Sequence, residues 1–117
     1  MDSLSTQLSP PIVLSFSASD PTGGAGIQAD LKTFAALGTY GMSCICALTA
    51  QNTKGVRMVV NTPISLVKAQ LEAIYDDVAP DAVKTGMLGT AAIVDTVSDF
   101  LGNHRSAPLV VDPVMVA

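Results

Sequence analysis

The sequence predicts an α/β fold in which a mainly parallel central sheet is flanked by helices. Apolar runs of strand length alternate with segments whose apolar residues recur at helical spacing, and the connections between them are short. Hydrophobic residues make up 49% of the chain and aromatic residues 4%, which suits a core of aliphatic side chains between layers. Such alternation implies parallel strands joined by right-handed crossovers. A ligand site is therefore expected at the carboxyl ends of the strands.

The first elements follow a polar, proline-ended segment. Residues 1–11 predict a flexible arm, and residues 12–117 predict a single domain portion without internal repeats or linkers. The apolar run from Pro11 to Ser17 predicts a buried strand. Residues 26–37 then predict a helix that ends at Gly38, a residue type favoured just after helices. The continuous apolar run 40–51 predicts a strand covered on both faces.

The second half repeats this alternation. Residues 56–61 predict a shorter strand, and a helix follows with Thr62 as N-cap and Pro63 in the first helical position. The segment "DAVKTGML" predicts another buried strand. Thr90 is expected to cap a helix that ends before Gly102, and "APLVVDPVMVA" predicts a final strand. The predicted carboxyl ends are 17–20, 49–52, 85–88 and 112–115.

Composition narrows the classes of partner. The chain has 117 residues, a formal net charge of −4 and six scattered Lys and Arg, so a nucleic-acid surface is not expected. Its apolar runs fall short of the ~18 residues that a membrane span needs, and its start lacks the pattern of a secretory signal. A cytoplasmic protein that binds a small molecule is the simplest interpretation. Cys44 and Cys46 are predicted to be reduced, buried thiols.

A glycine-rich loop joins the first strand to the first helix. Gly23, Gly24 and Gly26 fall within four positions, and residues 24–29 fit the dinucleotide pattern G-x-G-x-x-G/A. Residues 44–52 contain no acid that could hold a ribose, and the turn is too long, so a dinucleotide site is disfavoured. The loop could instead let backbone approach a ligand, with free N–H groups at the helix start, or it could merely turn the chain.

Three polar residues, one early in the first helix and two at strand ends, are candidates for ligand contacts. Asp30 could accept hydrogen bonds from a ligand, although its place early in the helix is also explained by capping. Gln51 offers a donor and an acceptor that match an aminopyrimidine edge, but it could equally be a surface residue. Asp112 could form a turn with Pro113 or serve as a ligand group.

Three segments carry a family resemblance: "SASDPTGGAGIQADLKTFAALGTYGMSCICALTAQNTKGV", "VKTGML" and "LVVDPVMVA". Together they resemble the hydroxymethylpyrimidine/phosphomethylpyrimidine kinases of thiamine biosynthesis, in the ribokinase-like superfamily. The match runs from about Ile12 to the last residue. The resemblance implies a ribokinase-like layered fold and a kinase that uses ATP and Mg²⁺. Its substrates would be 4-amino-5-hydroxymethyl-2-methylpyrimidine and the corresponding monophosphate.

The resemblance also implies roles for individual residues. Gln51 would hydrogen-bond the aminopyrimidine and Asp30 would line the same pocket, while Met87 and Val114 would wall the flat ring. Asp112 would lie at the phosphate end, where a carboxylate can hold Mg²⁺ directly or through water. One position departs from the family pattern, because Ala18 stands where glycine is common, which leaves the shape of the pocket open.

The resemblance covers the substrate-binding half of such a kinase. The family's Gly-Thr-Gly-Cys anion hole, its catalytic residue and most of its ATP site lie in a later stretch, so no catalytic residue is assigned here and the chain is expected to be a truncated N-terminal portion. The isolated chain is predicted to be inactive in phosphoryl transfer. A pyridoxal kinase-like enzyme and a non-catalytic pyrimidine- or partner-binding product remain alternatives. A homodimer is expected from the family's habit and from exposed sheet edges.

Overall fold

The computed structural model describes residues 9–114, so most of the predicted arm 1–11, and Met115 at the predicted end of the last strand, lie outside the described residues. Strands and helices alternate along this part of the chain in the order β1 (Ile12–Ala18), α1 (Gly26–Ala36), β2 (Tyr40–Asn52), β3 (Gly55–Asn61), α2 (Ile64–Asp77), β4 (Ala82–Thr85), α3 (Ala91–Gly102) and β5 (Leu109–Val111).

The strands form one sheet in the order β3-β2-β1-β4-β5. β1 pairs in parallel with both β2 and β4, and β4 pairs in parallel with β5. β3 is antiparallel to β2, because the tight turn at Thr53 and Lys54 reverses the chain directly. The predicted mainly parallel α/β sheet is therefore confirmed, with β1 at its centre and the connections running to either side of it.

The prediction that β2 is covered on both faces is wrong for its second half. The strand runs for 13 residues and continues past the helices into the hairpin with β3. Leu48 is 59% exposed, and every residue of β3 is exposed. Antiparallel hairpins commonly leave one face open to solvent, whereas the parallel part of a sheet is covered by its crossover helices.

The main hydrophobic core lies between one face of the sheet and helices α2 and α3. Alternate residues of the central strand, Leu14 and Phe16, are fully buried there. Val67 and Leu71 of α2 and Ile93 of α3 meet them in the same cluster. Cys44 and Cys46 complete this face of β2 as free, buried thiols, as predicted. Their mutual hydrogen bond and their burial raise the pKa of Cys44, which disfavours its thiolate.

The other face of the sheet carries α1 and is polar along β1. Ser15 and Ser17 alternate with the core residues and are buried, although neither is apolar. Helix α1 packs closely on β2, where a Cβ atom added to Gly41 would lie 2.8 Å from Leu31 and 2.9 Å from Phe34. The absence of a side chain at Gly41 thus lets α1 approach the sheet, and the serines of β1 face the space beneath the helix.

Two predicted helix ends are confirmed and one cap is wrong. Gly38 follows α1 with a φ of +75°, and the Thr90 hydroxyl accepts a hydrogen bond from the Ile93 amide at the start of α3. Thr62 does not cap α2, since Pro63 occupies the N-cap position without a side-chain bond. The Thr62 hydroxyl instead donates to the carbonyl of Ile45 at 2.8 Å. No helix found between residues 9 and 114 is long and apolar enough to cross a membrane.

Candidate functional site

A cavity of about 370 Å³ opens at the carboxyl ends of the parallel strands. It lies beside the neighbouring strands β1 and β4, whose following helices, α1 and α3, lie on opposite faces of the sheet. This is the expected ligand position in an open α/β sheet. The segments that follow β1, β4 and β5 contribute to its wall, as do the end of β2 and the first half of α1. The lining residues are Ser17, Ala18, Ser19, Ala25, Gly26, Ala29, Asp30, Gln51, Lys84, Gly86, Met87, Asp112 and Val114.

Most of the residues singled out from the sequence meet around this cavity. Those that line it are Ala18, Gly26, Asp30, Gln51, Met87, Asp112 and Val114. Gly23 and Gly24 are not among the lining residues: the Gly23 carbonyl accepts a hydrogen bond from Lys32, and the Gly24 amide donates to Asp20. The loop therefore contributes to the cavity through its last residues, at the start of α1.

Asp30 is held by two residues from neighbouring strands. Its Oδ2 accepts from the Ser15 hydroxyl at 2.6 Å and from the Lys84 ammonium at 2.9 Å, and its Oδ1 accepts from the same ammonium at 3.0 Å. Ser15 and Lys84 are register partners of β1 and β4, so both side chains rise from one face of the sheet toward α1. The Asp30 carboxylate is thus fixed in place rather than merely located near a helix start.

Lys84 and Ser15 were missed as site residues in the sequence. Lys84 stands inside the strand "AVKT", between Val83 and Thr85, which are both buried. A lysine within a buried strand needs an opposite charge nearby, because unpaired buried charge is costly. The rule predicts that Lys84 has an acidic partner. Which residue it is depends on the register of β4 against β1, which cannot be predicted from the sequence.

The glycine-rich loop is organised by Asp20, whose side chain is buried. Its Oδ1 accepts from the amide and hydroxyl of Thr22, and its Oδ2 accepts from the amides of Gly24 and Ala25 at 2.9 and 2.8 Å. At Gly24 and Ala25, directly before α1, the protein thus supplies its own carboxylate to the backbone amides. The loop is a self-contained turn that shapes the start of α1, and these two amides do not form an open anion cradle.

The hydrogen bonds to Asp20 make stability depend on pH. Burial acts to raise the pKa of Asp20, but the bonds from Thr22, Ala25 and Gly24 outweigh it, so its pKa lies below the usual 3.8. A lowered pKa in the folded state means that the ionised group stabilises the fold above about pH 4, and that this contribution is lost as the pH falls further.

Asp20→Asn is therefore expected to lower the melting temperature near neutral pH, with a difference from the unsubstituted chain that shrinks as the pH approaches about 3. Thermal melts between about pH 3 and pH 7 measure this difference in melting temperature. Asp95→Asn, on the exposed face of α3, is the matched control. A difference between Asp20→Asn and the unsubstituted chain that stays constant at all pH values would contradict the assignment.

The backbone at Gly26 closely approaches Ala18 beside the cavity. Gly26 has a φ of +60°, and a Cβ atom built on it would lie 2.4 Å from the Ala18 carbonyl oxygen. Ala18 itself is 4% exposed and, like every non-glycine residue of the described part, has no positive φ. Alanine is therefore compatible with the backbone at position 18, and its methyl group forms part of the cavity wall.

Gln51 reaches the cavity from the far end of β2. The pairing of β2 with β3 shifts register between Ala50 and Gln51, an irregularity of the kind that redirects side chains at sheet ends. The Thr49 hydroxyl lies 2.7 Å from the Ser19 carbonyl oxygen and 3.0 Å from the Gln51 Oε1, and it donates its single proton to one of these acceptors at a time. Gln51 is half-buried, so its amide can exchange hydrogen bonds with a ligand while one end is supported by Thr49.

Asp112 lies where the site cavity adjoins a second one of about 570 Å³, lined mainly by the connection from β4 to α3. Both cavities share Gly86, Met87, Asp112 and Val114. The Asp112 amide donates to the Thr85 carbonyl at 2.9 Å, which continues the β4–β5 pairing and holds the exposed carboxylate at the sheet end. Within the described residues no three acidic, histidine or cysteine side chains cluster as a metal cage. One carboxylate suits Mg²⁺, which retains waters and shares substrate phosphates.

Comparison with known proteins assigns the family. The sequence profile of the phosphomethylpyrimidine kinase family matches residues 20–117. The chain is 52% identical over 110 residues to a hydroxymethylpyrimidine/phosphomethylpyrimidine kinase of Streptomyces coelicolor, and these residues make up 94% of the chain and 40% of that enzyme. The chain thus spans less than half the length of this relative.

Solved structures agree in fold. A phosphomethylpyrimidine kinase from Clostridium difficile superposes with a TM-score of 0.87 at 50% identity, covering 92% of this chain and 46% of that one. A Bacillus subtilis pyridoxal kinase, solved as an ADP complex, superposes with a TM-score of 0.83 at 37% identity, covering 92% and 42%. The architecture is therefore the ribokinase-like one that these kinases share. The chain belongs to the phosphomethylpyrimidine kinase family.

Proposed function

We propose that the protein containing this chain transfers the γ-phosphoryl group of ATP to 4-amino-5-hydroxymethyl-2-methylpyrimidine and to its monophosphate, in the synthesis of thiamine diphosphate. The observation that carries the proposal is the cavity at the strand ends, in which Asp30, Gln51 and Met87 line the same space. Its volume of about 370 Å³ lies in the range of small-molecule sites and exceeds what one pyrimidine ring needs.

The residues divide the cavity into a ring end and a phosphate end. Gln51 and Asp30 supply polar groups for the edge of the ring, while Met87 and Val114 supply apolar contacts for its faces. Asp112, like Met87 and Val114, borders the second cavity, which offers room for a phosphoryl donor beyond the ring. Its assignment to the phosphate end follows the family resemblance. This order would direct the substrate hydroxyl toward Asp112.

Asp112 is the proposed Mg²⁺ contact. Lys84 is the cationic side chain among the described lining residues of the cavity, and it is paired with Asp30. The Asp112 carboxylate is therefore available to bind a metal ion. When bound, Mg²⁺ would neutralise the phosphate oxygens and the charge that develops during transfer. The chain's own contribution is to orient the ring and to hold one carboxylate at the phosphate end. The remaining kinase parts, including the nucleotide contacts, are proposed to come from the segment that relatives carry beyond this region.

Phosphorylation assays on the full-length gene product test the proposal. With ATP and Mg²⁺, we expect a higher kcat/KM for hydroxymethylpyrimidine than for pyridoxal, and no turnover by the isolated 117-residue chain. Pyridoxal is the second candidate substrate, because a pyridoxal kinase shares the fold at 37% identity. Turnover of pyridoxal alone would replace the proposed substrate. We also propose a cytoplasmic location, on the sequence features described above, and a homodimer, on the family's habit and the exposed sheet edges.

Gln51→Ala is expected to weaken pyrimidine binding by about tenfold, because it removes a hydrogen bond at the ring edge. Calorimetric titration of hydroxymethylpyrimidine into the full-length protein measures the change. Thr53→Ala, an exposed position in the adjoining turn, serves as the control and should bind like the unsubstituted protein. Binding by Gln51→Ala within about twofold of the unsubstituted protein would exclude Gln51 from recognition.

A further inference from the structure

The Asp30 carboxylate has most of its hydrogen-bonding capacity taken by the protein. A carboxylate has about four acceptor positions, and three contacts are made here, two at Oδ2 and one at Oδ1. The side chain also lines the cavity. What Asp30 offers to a ligand is therefore one acceptor position at Oδ1, in a fixed orientation.

Lys84 fixes that orientation. Its ammonium contacts both carboxylate oxygens, at 3.0 and 2.9 Å, and its side chain is 22% exposed while that of Asp30 is 16% exposed. Ser15 is fully buried and holds Oδ2 from the other strand. Space for Lys84 depends on Gly86, where an added Cβ atom would lie 3.0 Å from Nζ and 2.7 Å from the Ser17 hydroxyl.

We infer that Lys84 is a positioning residue that makes Asp30 a fixed, acceptor-only contact, so that the cavity selects ligands carrying a hydrogen-bond donor, an amino or hydroxyl group, at this place. The inference rests on the proposed function for the identity of the ligand. Lys84 thus influences ligand specificity by holding Asp30 in place, and it does not need to contact the ligand itself.

A double-mutant cycle on the full-length protein tests the inference, with dissociation constants for hydroxymethylpyrimidine measured by calorimetry. Lys84→Met is expected to weaken binding by about tenfold when Asp30 is present, and by less than about twofold in an Asp30→Asn background. Lys68→Met, at an exposed position of α2, is the matched control and should leave binding unchanged. An equal loss in both backgrounds would overturn the inference, since Lys84 would then act independently of Asp30.

Two ligand analogues make the test independent of whether Lys84→Met folds. One lacks the amino group and the other lacks the hydroxyl group of hydroxymethylpyrimidine. The unsubstituted protein is expected to bind one of them about tenfold more weakly than the parent, and Asp30→Asn should remove this discrimination. Equal binding of all three ligands by the unsubstituted protein would overturn the inference and leave the proposed function intact. Failure to bind the parent compound would overturn both.

Discussion

Gly26→Ala is expected to destabilise the protein by about 3 kcal/mol or more, and to reduce pyrimidine binding with it. The residue has a φ of +60°, which disfavours any side chain, and the new Cβ atom would lie 2.4 Å from the Ala18 carbonyl oxygen. The obstacle is backbone of the central strand, which cannot move aside as a flexible side chain could. Because Gly26 and Ala18 both line the cavity, any relaxation would also change its shape.

Gly24→Ala is the matched control two positions earlier in the same loop. A Cβ atom at Gly24 would meet nothing closer than Asp20 Oδ2 at 3.8 Å, and its φ is not positive. We expect a change within about 1 kcal/mol, measured for both variants by denaturant unfolding. If Gly24→Ala lowers the free energy of unfolding as much as Gly26→Ala does, the loop tolerates a side chain at neither position. The close approach to Ala18 would then not explain the effect of Gly26→Ala.

Phe16→Ala is expected to lower the free energy of unfolding by about 3–5 kcal/mol. Phe16 is fully buried in the central strand, where it packs into the core cluster with residues of α2 and α3. The loss would consume much of the 5–15 kcal/mol typical of a domain. Denaturant unfolding measures it, and Leu66→Ala, at a position of α2 that is 52% exposed, provides the control.

The control substitution removes a similar apolar group from solvent and should cost less than about 1 kcal/mol. If Phe16→Ala costs no more than Leu66→Ala, the face of β1 that carries Phe16 is not the centre of the core. Retention of pyrimidine binding by folded Phe16→Ala is also expected, since Phe16 points away from the face that carries Ser15 and the cavity.

The order of strands and helices was readable from the sequence because each element has its own local pattern. The apolar run 11–17, the helical spacing after Gly26 and the Thr90 cap all depend on neighbours in the chain. The Thr62 cap was predicted wrongly, since its hydroxyl is used by a strand carbonyl 17 positions earlier. A contact over that distance leaves no local signal.

The candidate site was predictable in part for the same reason. Gln51, Met87 and Asp112 lie at the predicted carboxyl ends of strands, so the parallel arrangement brings them to one edge, where the cavity lies. The roles of Asp20 and Lys84 were not predictable, because they depend on which amides and carboxylates the folded loop and sheet bring into contact. The contacts of Asp20 and Lys84 are known only from the folded structure, whereas the glycine pattern alone suggested an open anion site.

The pairing of Lys84 with Asp30 also bears on how the sheet assembles. Side chains alternate along β4, so a slip of one residue against β1 would turn Lys84 toward Leu14 and Phe16 and separate it from Asp30. Lys84 would then lie unpaired among apolar core residues, and Asp30 would lose its partner at the cavity. An unpaired charge left in the interior costs about 3–5 kcal/mol. The pairing of Lys84 with Asp30 therefore favours the observed register of β4 against β1 over a register shifted by one residue.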